Sequence, residues 1–416
     1  LKMSEIDIVI YGATGFTGKL VAEYYAETIA GSDITFGLAG RNIEKLKDVK
    51  EHLIKINDAC IDVPLIIADV NNIKSLDEMT AQAKVLITTV GPYAKYGEAV
   101  VEACIRNNCD YCDLTGEVQF MKRCIDKYNK VAEVKGVAIV HACGFDSIPS
   151  DMAALFVTDY FQTKHQQKTK DVHYYVMKSK GYISGGTLAS GVNAITSLSS
   201  KERKEIGRAG CLVPPDSSYK PKERDLTWPK YDKVLDSWTN IWMMEACNTR
   251  VVRRSAALLD YGNDFAYTEV MKASSAFVAY LTNIVIILAI ILLVIPPTRW
   301  LLQKFVLPAP GQGPTLDQRL NGYWNGKIIA FSKPNNNQSQ RRIVVKISGK
   351  RDPGYGSTSR MLGEAALCLL SRKQADASIC GVLTPASAMG MALLPGLQRA
   401  GVTINVVADD VALMQD

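Results

Sequence analysis

The chain has 416 residues, of which 47% are hydrophobic and 22% are charged, and its formal net charge is +6. This length favours two domains, and the composition is typical of a folded protein. The positive charge is not gathered into a basic run, so nucleic acid is not a predicted partner, whereas a phosphorylated cofactor or an anionic membrane surface would suit it. The ten cysteines are scattered, which favours free thiols in a reducing compartment over a disulfide framework.

The N-terminal stretch predicts a strand, a tight turn and a helix in succession. An apolar run from Ile6 to Ile10 precedes three glycines, and an amphipathic run, 19–30, follows them. This order is typical of a dinucleotide-binding βαβ unit, although the spacing is G-x-x-G-x-x-G rather than the commoner G-x-G-x-x-G. Gly12 would turn the chain, Gly15 would let backbone approach a pyrophosphate at the helix N-terminus, and Gly18 would let the helix pack on the strand. The predicted cofactor-binding turn comprises Gly12, Thr14, Gly15, Phe16, Thr17 and Gly18. The alternative is a turn with a structural role alone.

The second predicted strand, 34–40, ends at Arg41. An acidic residue near this point would hold the ribose 2′-hydroxyl of NAD, whereas a guanidinium suits a 2′-phosphate. Arg41 therefore favours NADP(H) over NAD(H), unless it is an ordinary exposed residue at a helix start. Asp69 follows the third strand, where it would lie near the adenine or cap the next helix.

Six strands alternating with helices over residues 1–150 predict a doubly wound parallel sheet, a Rossmann domain. The predicted strands are 6–10, 34–40, 64–68, 84–90, 111–114 and 136–141. Val90 and Gly91 end the fourth strand, where such sheets place their ligands. We expect both to contact the cofactor and Tyr93 to lie near the nicotinamide. Tyr93 and Asp146 are the candidate catalytic residues, on the substrate side of the cleft between the two domains.

A hinge from His141 to Asp151 then leads into a second domain. This stretch predicts the end of a strand, a glycine turn and the start of a helix, and Asp146 would lie in the wall of the cleft between the two domains. The alternative is that the stretch only caps the helix and links the domains. Tyr160 and Lys164, with Ser147 before them, match the short-chain dehydrogenase triad, a pattern that is also expected by chance. Cys104, Cys109 and Cys112 have spacing known from iron–sulfur proteins, but their predicted helix and strand positions favour buried thiols, and no metal site is predicted.

Residues 151–416 predict an α+β domain with an antiparallel or mixed sheet. The predicted strands are 171–177, 262–270, 327–331, 343–347 and 402–407, and the predicted helices are 184–194, 357–370 and 386–394. The polar excursion 199–233 reads as a surface loop.

Residues 273–298 carry no charge and are long enough to span a bilayer, and a basic and aromatic piece follows to residue 307. A single span would put residues 299–416 across the membrane from the Rossmann half, although they are expected to complete the second domain. We therefore expect residues 273–307 to dip into one leaflet or to dock on a lipid surface. The alternatives are a true span, a buried helix or a contact with a partner protein.

The chain resembles the saccharopine dehydrogenase-like oxidoreductases, the group that also holds the bacterial trans-acting enoyl reductases. The resemblance covers nearly the whole chain and rests on the stretches 9–18, 39–41, 89–93, 111–117, 143–151, 185–187 and 308–314. It implies a Rossmann domain, an α+β domain and NAD(P)-linked chemistry. Saccharopine reductases read Gly-x-Asp-Pro-Gly where this chain has Gly144, Asp146, Ser147 and Ile148, so saccharopine is not the expected substrate.

The first functional hypothesis is a membrane- or lipid-surface-associated NADP(H)-dependent oxidoreductase that transfers hydride to or from a hydrophobic, lipid-like substrate. Its expected location is a lipid droplet, the endoplasmic reticulum or a mitochondrial membrane. The second is a non-catalytic nucleotide-binding Rossmann subunit that serves as an interaction module of a membrane protein complex.

Overall fold

The computed structural model describes residues 6–182, 198–305, 313–335, 338–376 and 379–412. The helix predicted for 184–194 lies outside the described residues, as does most of the stretch 308–314.

The N-terminal half is built on a seven-stranded parallel sheet, as its alternating pattern predicts. The strand order is β13-β6-β5-β4-β1-β2-β3. The strands are β1 Ile6–Tyr11, β2 Phe36–Gly40, β3 Leu65–Ile67, β4 Ala83–Thr88, β5 Asp110–Asp113, β6 Ala138–Val140 and β13 Gly381–Leu383. The strand order reverses between β1 and β4, which creates the crevice at the carboxyl ends where such sheets bind ligands.

Helices cover both faces of this sheet, so its central strands are buried throughout. They are α1 Phe16–Thr28, α2 Ile43–Ile54, α3 Ile73–Thr80, α4 Tyr93–Arg106, α5 Val118–Lys135 and α6 Ile148–His165. The sheet extends beyond the predicted boundary at residue 150. Its seventh strand, β13, and a further covering helix, α12 Thr358–Gln374, come from the C-terminal part, where α12 packs on α1 and β4.

The second sheet also has seven strands, in the order β14-β12-β11-β7-β10-β9-β8. They are β7 Thr169–Lys180, β8 Lys230–Asp232, β9 Ser237–Asn240, β10 Ala266–Ala273, β11 Tyr323–Ser332, β12 Arg341–Gly349 and β14 Val402–Val411. Its β7–β10 pair is parallel and its other pairs are antiparallel, so the sheet is mixed. Its inner face packs on α6 and on α8 Glu245–Leu258 through buried residues that include Val172, Tyr174 and Val176.

The polar excursion 199–233 is not the surface loop that its composition predicts. It contains a helix, α7 Ser200–Ile206, and the strand β8, and it buries Cys211, Leu212 and Tyr219. These few apolar residues are spaced too irregularly to give a helix or strand period, so the sequence does not indicate that they are buried.

The apolar segment forms α9 Ala276–Val294 and, after a break, α10 Pro296–Phe305. α9 has a mean hydropathy of 2.8 over its most apolar window, yet only Ala279 and Asn283 along it are buried. It is therefore not a core helix of the described chain. The strands before and after it, β10 and β11, both flank β7, so the chain leaves one sheet and returns to the same sheet. The remaining short helices are α11 Leu316–Leu320, α13 Pro385–Met389 and α14 Leu394–Arg399.

Candidate active site

The glycine turn lies at the carboxyl end of β1, beside the end of β4. Gly12 has φ +90°, and a Cβ there would lie 2.7 Å from Thr89 Oγ1 and 2.9 Å from Val90 Cγ2. A Cβ on Gly18 would lie 2.2 Å from the Gly12 carbonyl oxygen. Both positions therefore require glycine, Gly12 for the turn and Gly18 for the close packing of α1 on the turn.

α1 begins at Phe16, with Gly15 as its extended N-cap and with no side chain capping it. The first-turn amides of a helix have no partner within the helix, so this end offers N–H groups and a positive dipole end to an anion. Thr14 and Thr17 flank it. The ring of Phe16 turns away and packs edge-on against Tyr355, with centroids 5.2 Å apart. Phe16 can thus serve a pyrophosphate through its backbone, while its ring joins α1 to the C-terminal part.

Arg41 is exposed at the end of β2, and no carboxylate lies within 4 Å of it among the described residues. Thr14 lies near the same strand end, with its side chain 3.8 Å from where a Cβ of Gly40 would be. Burial raises the pKa of Tyr11 to about 12, and the charges of Asp69 and Arg41 act on the same hydroxyl. Arg41, Asp69 and Thr14 therefore share one edge of the sheet, where an unpaired guanidinium suits a 2′-phosphate.

Glu117 fixes the loop that follows β4. The carboxylate accepts hydrogen bonds from the backbone N–H groups of Tyr93 (2.8 Å) and Ala94 (2.9 Å), which caps α4 just after the cis Gly91–Pro92 peptide bond. A charged acceptor on a helix N-terminus is a strong cap. It holds Val90 and Gly91 over the crevice next to Gly12. The sequence analysis did not assign this role to Glu117. The one signal for it was the position of an acidic residue shortly after β5.

Tyr93, predicted to lie near the nicotinamide, has its side chain packed beneath the loop that follows β4. Tyr93 is the first residue of α4, its side chain is only 5% exposed, and its hydroxyl donates to the Thr88 carbonyl oxygen at 3.1 Å. The ring stacks on Phe120 at 6.0 Å. Burial raises its pKa well above the usual value, with Asp113 adding to this. Tyr93 therefore supports the loop from below, because an apolar ring is more stable in the core than in an open crevice.

A buried polar cluster lies beneath the crevice at the ends of β5 and β6. Asp113 accepts from the Tyr111 hydroxyl at 2.8 Å and from the amides of Thr115 and Ala142, and it lies 2.7 Å from His141 Nδ1. Asp113 and His141 are almost fully buried. The cluster therefore joins the turns after β5 and β6 into one rigid piece.

Asp146 stands on that piece, facing the turn after β5. It is half-buried, one carboxylate oxygen lies 3.7 Å from where a Cβ of Gly116 would be, and no hydrogen bond or ion pair to it is recorded among the described residues. Burial, and then the charge of Asp113, raises the pKa of Asp146 to about 7. This carboxyl group therefore exchanges its proton near neutral pH.

Contacts from α12 and α8 hold the Asp146 loop on both sides. The Phe145 amide donates to Thr358 Oγ1 at 3.1 Å, and Ser147 Oγ donates to Asn248 Oδ1 at 3.0 Å. Asn248 in turn donates to Glu269 at 2.7 Å. Burial raises the pKa of Glu269 to about 6, but Glu269 is enclosed by hydrogen bonds in the core, unlike Asp146.

The rival residue patterns do not assemble a site. Tyr160 and Lys164 lie 12 or more residues along α6 from its first residue, roughly 18 Å at 1.5 Å per residue. They contact each other at 2.6 Å and Asp409 of β14, while Ser147 contacts Asn248. Cys104, Cys109 and Cys112 are buried free thiols, and no cluster of three or more metal ligands occurs among the described residues.

Comparisons with known proteins show which families and proteins this chain is similar to. The family described as the saccharopine dehydrogenase NADP-binding domain matches residues 8–140. A putative trans-acting enoyl reductase of Mycobacterium tuberculosis is 37% identical, over 96% of this chain and 97% of its own. A trans-acting enoyl reductase of Mycobacterium ulcerans is 34% identical, over the same shares. A solved structure of saccharopine dehydrogenase from Saccharomyces cerevisiae aligns with 97% of this chain and all of its own, at 14% identity and a TM-score of 0.49.

Proposed function

Because this chain belongs to the saccharopine dehydrogenase-like family that includes the trans-acting enoyl reductases, we propose that it reduces the carbon–carbon double bond of a hydrophobic enoyl substrate with NADPH. It is an NAD(P)-dependent oxidoreductase with an NADP-binding domain. The relatives' names supply the reaction class. The observation in this chain that carries the proposal is Asp146, an unpaired carboxyl with a pKa near 7 at the crevice.

The residues of the crevice fit NADPH. Any side chain at Gly12 or Gly18 would collide with neighbouring atoms, so the backbone at the start of α1 stays open for the pyrophosphate. Arg41 would hold the 2′-phosphate, and Asp69 lies at the same edge. Val90 and Gly91 would lie nearer the nicotinamide, which supplies hydride when the cofactor is bound.

Asp146 would complete the reduction as the acid. Hydride adds to the β-carbon of the enoyl group, the electron pair of the double bond moves toward the carbonyl oxygen, and the α-carbon then needs a proton. A carboxyl group with a pKa near 7 is protonated in a large fraction of molecules at neutral pH and can donate that proton. Thr358 and Asn248, through the flanking residues, would keep Asp146 in position.

The test is oxidation of NADPH with enoyl thioesters by the wild type and by Asp146→Asn. If Asp146 is the acid, the variant loses roughly 10²- to 10⁴-fold in kcat while its NADPH affinity is unchanged. The wild-type kcat should fall as pH rises through about 7, because the donor is then deprotonated, and the variant should lack this limb. Asp33→Asn, an exposed change in a loop far from the crevice, is the control.

Two outcomes would contradict the proposal separately. Full activity in Asp146→Asn would remove Asp146 as proton donor but leave the reaction. If NADPH binds and no enoyl thioester of any chain length is reduced, the enoyl reductase proposal fails.

The hydrophobic substrate and the membrane or lipid surface are further parts of the proposal. The exposed apolar helix α9 supports them, since a side-chain surface of this kind is rarely left in water. The return of the chain to one sheet favours a segment that dips into one leaflet over a single span. Long-chain enoyl thioesters presented in vesicles should be better substrates than short soluble ones. A membrane protein complex as partner remains a prediction, and no observation favours the non-catalytic alternative.

A further inference from the structure

A cavity of about 870 Å³ lies on the second sheet at the foot of α9, and the proposed reaction does not use it. Val278 and Thr282 of α9 line one side, and strands of the sheet line the rest. Apolar side chains contribute to its lining, among them Met177, Val344 and Val407.

In the described part of the chain, no acidic residue borders this cavity. Four lysines do: Lys178, Lys272, Lys327 and Lys346. They come from four different strands, β7, β10, β11 and β12, so the fold rather than the local sequence gathers them. Among the described residues none of the four forms an ion pair, whereas Arg341 and Arg342 of the same sheet pair with Asp409 and Asp410. Four unpaired cations beside one another repel, so the cavity favours a bound anion.

Asn240 provides a second observation at the same place. It lines the cavity, it is 1% exposed, and its Nδ2 has no hydrogen-bond partner among the described residues. An unpaired buried amide is costly, and an acceptor oxygen would remove that cost.

We propose that this cavity binds the phosphate headgroup of an anionic phospholipid from the membrane in which α9 lies. The lysines and Asn240 would contact the phosphate oxygens, while the glycerol and upper acyl chain would lie against the apolar lining and the exposed side of α9. Because α9 rises from the rim of the cavity, a helix inserted in a leaflet would hold the cavity at the depth of the headgroups. The inference rests on the proposed membrane seating of α9 and not on the enoyl reductase chemistry.

The test is flotation of the full chain with vesicles of phosphatidylcholine alone and with one-fifth phosphatidylglycerol. The wild type should prefer the anionic vesicles. Lys327→Gln/Lys346→Gln should lose most of that preference, at roughly fivefold for each lysine near an anionic surface. Lys55→Gln/Lys135→Gln removes the same charge from exposed lysines far from the cavity and should keep it. Equal loss in both double variants would mean diffuse charge attraction and would overturn the site.

A second variant distinguishes binding inside the cavity from attraction to the lysines that border it. Thr282→Phe places a bulky ring in the cavity wall beside α9 and keeps all four lysines, so it should weaken the anionic preference while leaving binding to neutral vesicles unchanged. Retention of the preference would overturn the cavity as the binding place. Displacement from anionic vesicles by millimolar inorganic phosphate, at constant ionic strength, would assign the site to free phosphate instead.

Reduction of a soluble enoyl thioester by the same variants distinguishes the two proposals. Unchanged turnover with a lost lipid preference supports the headgroup site. A preserved preference in a protein without reductase activity removes the proposed reaction alone. Absence of binding to any vesicle removes the membrane seating and this inference together.

Discussion

The two seven-stranded sheets of this protein are covered differently, and the proposed reaction lies at one sheet whereas the proposed membrane contact lies at the other. The first sheet is parallel, has helices on both faces and carries the glycine turn at the carboxyl end of β1. The second is mixed, has helices on its inner face, and carries α9 and a lysine-lined cavity. A ligand at strand ends is positioned by turns, whereas one at a sheet face is held by side chains from several strands. Changes in one region should therefore leave the function of the other intact.

The largest effect should come from charges on α9. Leu288→Glu/Ile291→Glu places two carboxylates on side chains that are 53% and 46% exposed, so the fold should be unaffected. Membrane-insertion scales give a cost of about 2.5–3.5 kcal/mol for each Asp, Lys or Arg at the centre of a bilayer helix, and a glutamate should cost a similar amount. Two glutamates should therefore lower vesicle binding by on the order of 10³-fold or more. NADPH affinity should not change. Val131→Glu/Val134→Glu on α5, where the side chains are 48% and 77% exposed, is the matched control for flotation. If the α9 variant floats like the wild type, α9 does not enter lipid.

Gly12→Ala should act on the first sheet alone. The added Cβ would meet Thr89 Oγ1 at 2.7 Å in a backbone conformation with φ +90°, which costs about 1–3 kcal/mol. Because the turn must shift, NADPH binding measured by nicotinamide fluorescence should weaken by more than tenfold, whereas vesicle binding persists. Gly40→Ala is the control, since its nearest neighbour lies at an ordinary 3.5 Å. Equal losses in both variants would deny the turn a special role.

Arg41→Ala should discriminate between the two nicotinamide cofactors. Loss of a charge-assisted contact costs about 1.5–3 kcal/mol, so the Kd for NADPH should rise by roughly 10- to 100-fold while the Kd for NADH is little changed. Lys45→Ala on the adjoining helix removes a nearby charge as a control. A parallel rise for both cofactors would mean that Arg41 does not contact the 2′-phosphate.

The smallest effect should be a gain of stability in Asp146→Asn. The folded-state pKa of Asp146 is raised from 3.8 to about 7, so the folded state binds the proton more tightly than the unfolded state. Its contribution to stability is present below pH 4 and is lost as pH rises to about 7. The variant should therefore be more stable than the wild type at pH 8, by on the order of 1 kcal/mol, and similar at pH 4. Thermal unfolding at both pH values checks this, and a lower Tm for the variant at pH 8 would contradict the raised pKa.

Local signals in the sequence predicted the first sheet and the geometry of its glycine turn well. Gly12, Gly18 and Arg41 lie where their spacing indicates, because turns and strand ends are decided by neighbouring residues. β13 was not predicted, since three residues, Gly381 to Leu383, become a strand only by pairing with β6 over a separation of more than 240 residues. The lysine-lined cavity was not predicted for the same reason, because its four lysines come from four strands that are distant in sequence.

The sequence also did not predict the direction in which some side chains point. Tyr93 is next to the predicted ligand site in sequence, yet its ring points into the core. Asp146 was placed in the cleft wall from its position after a strand, and its near-neutral pKa depends on burial beside Asp113, which no sequence pattern reveals.

The C-terminal origin of β13 and α12 has a consequence for synthesis of the protein on the ribosome. When the nascent chain has reached residue 305, α9 and α10 are complete, but β6 is still an unpaired edge and α1 still lacks its covering helix. The cofactor domain closes only after residue 383 has emerged. The apolar helix is therefore available to a membrane before the enzyme is finished, and a truncation just before β13 would leave an open, aggregation-prone edge.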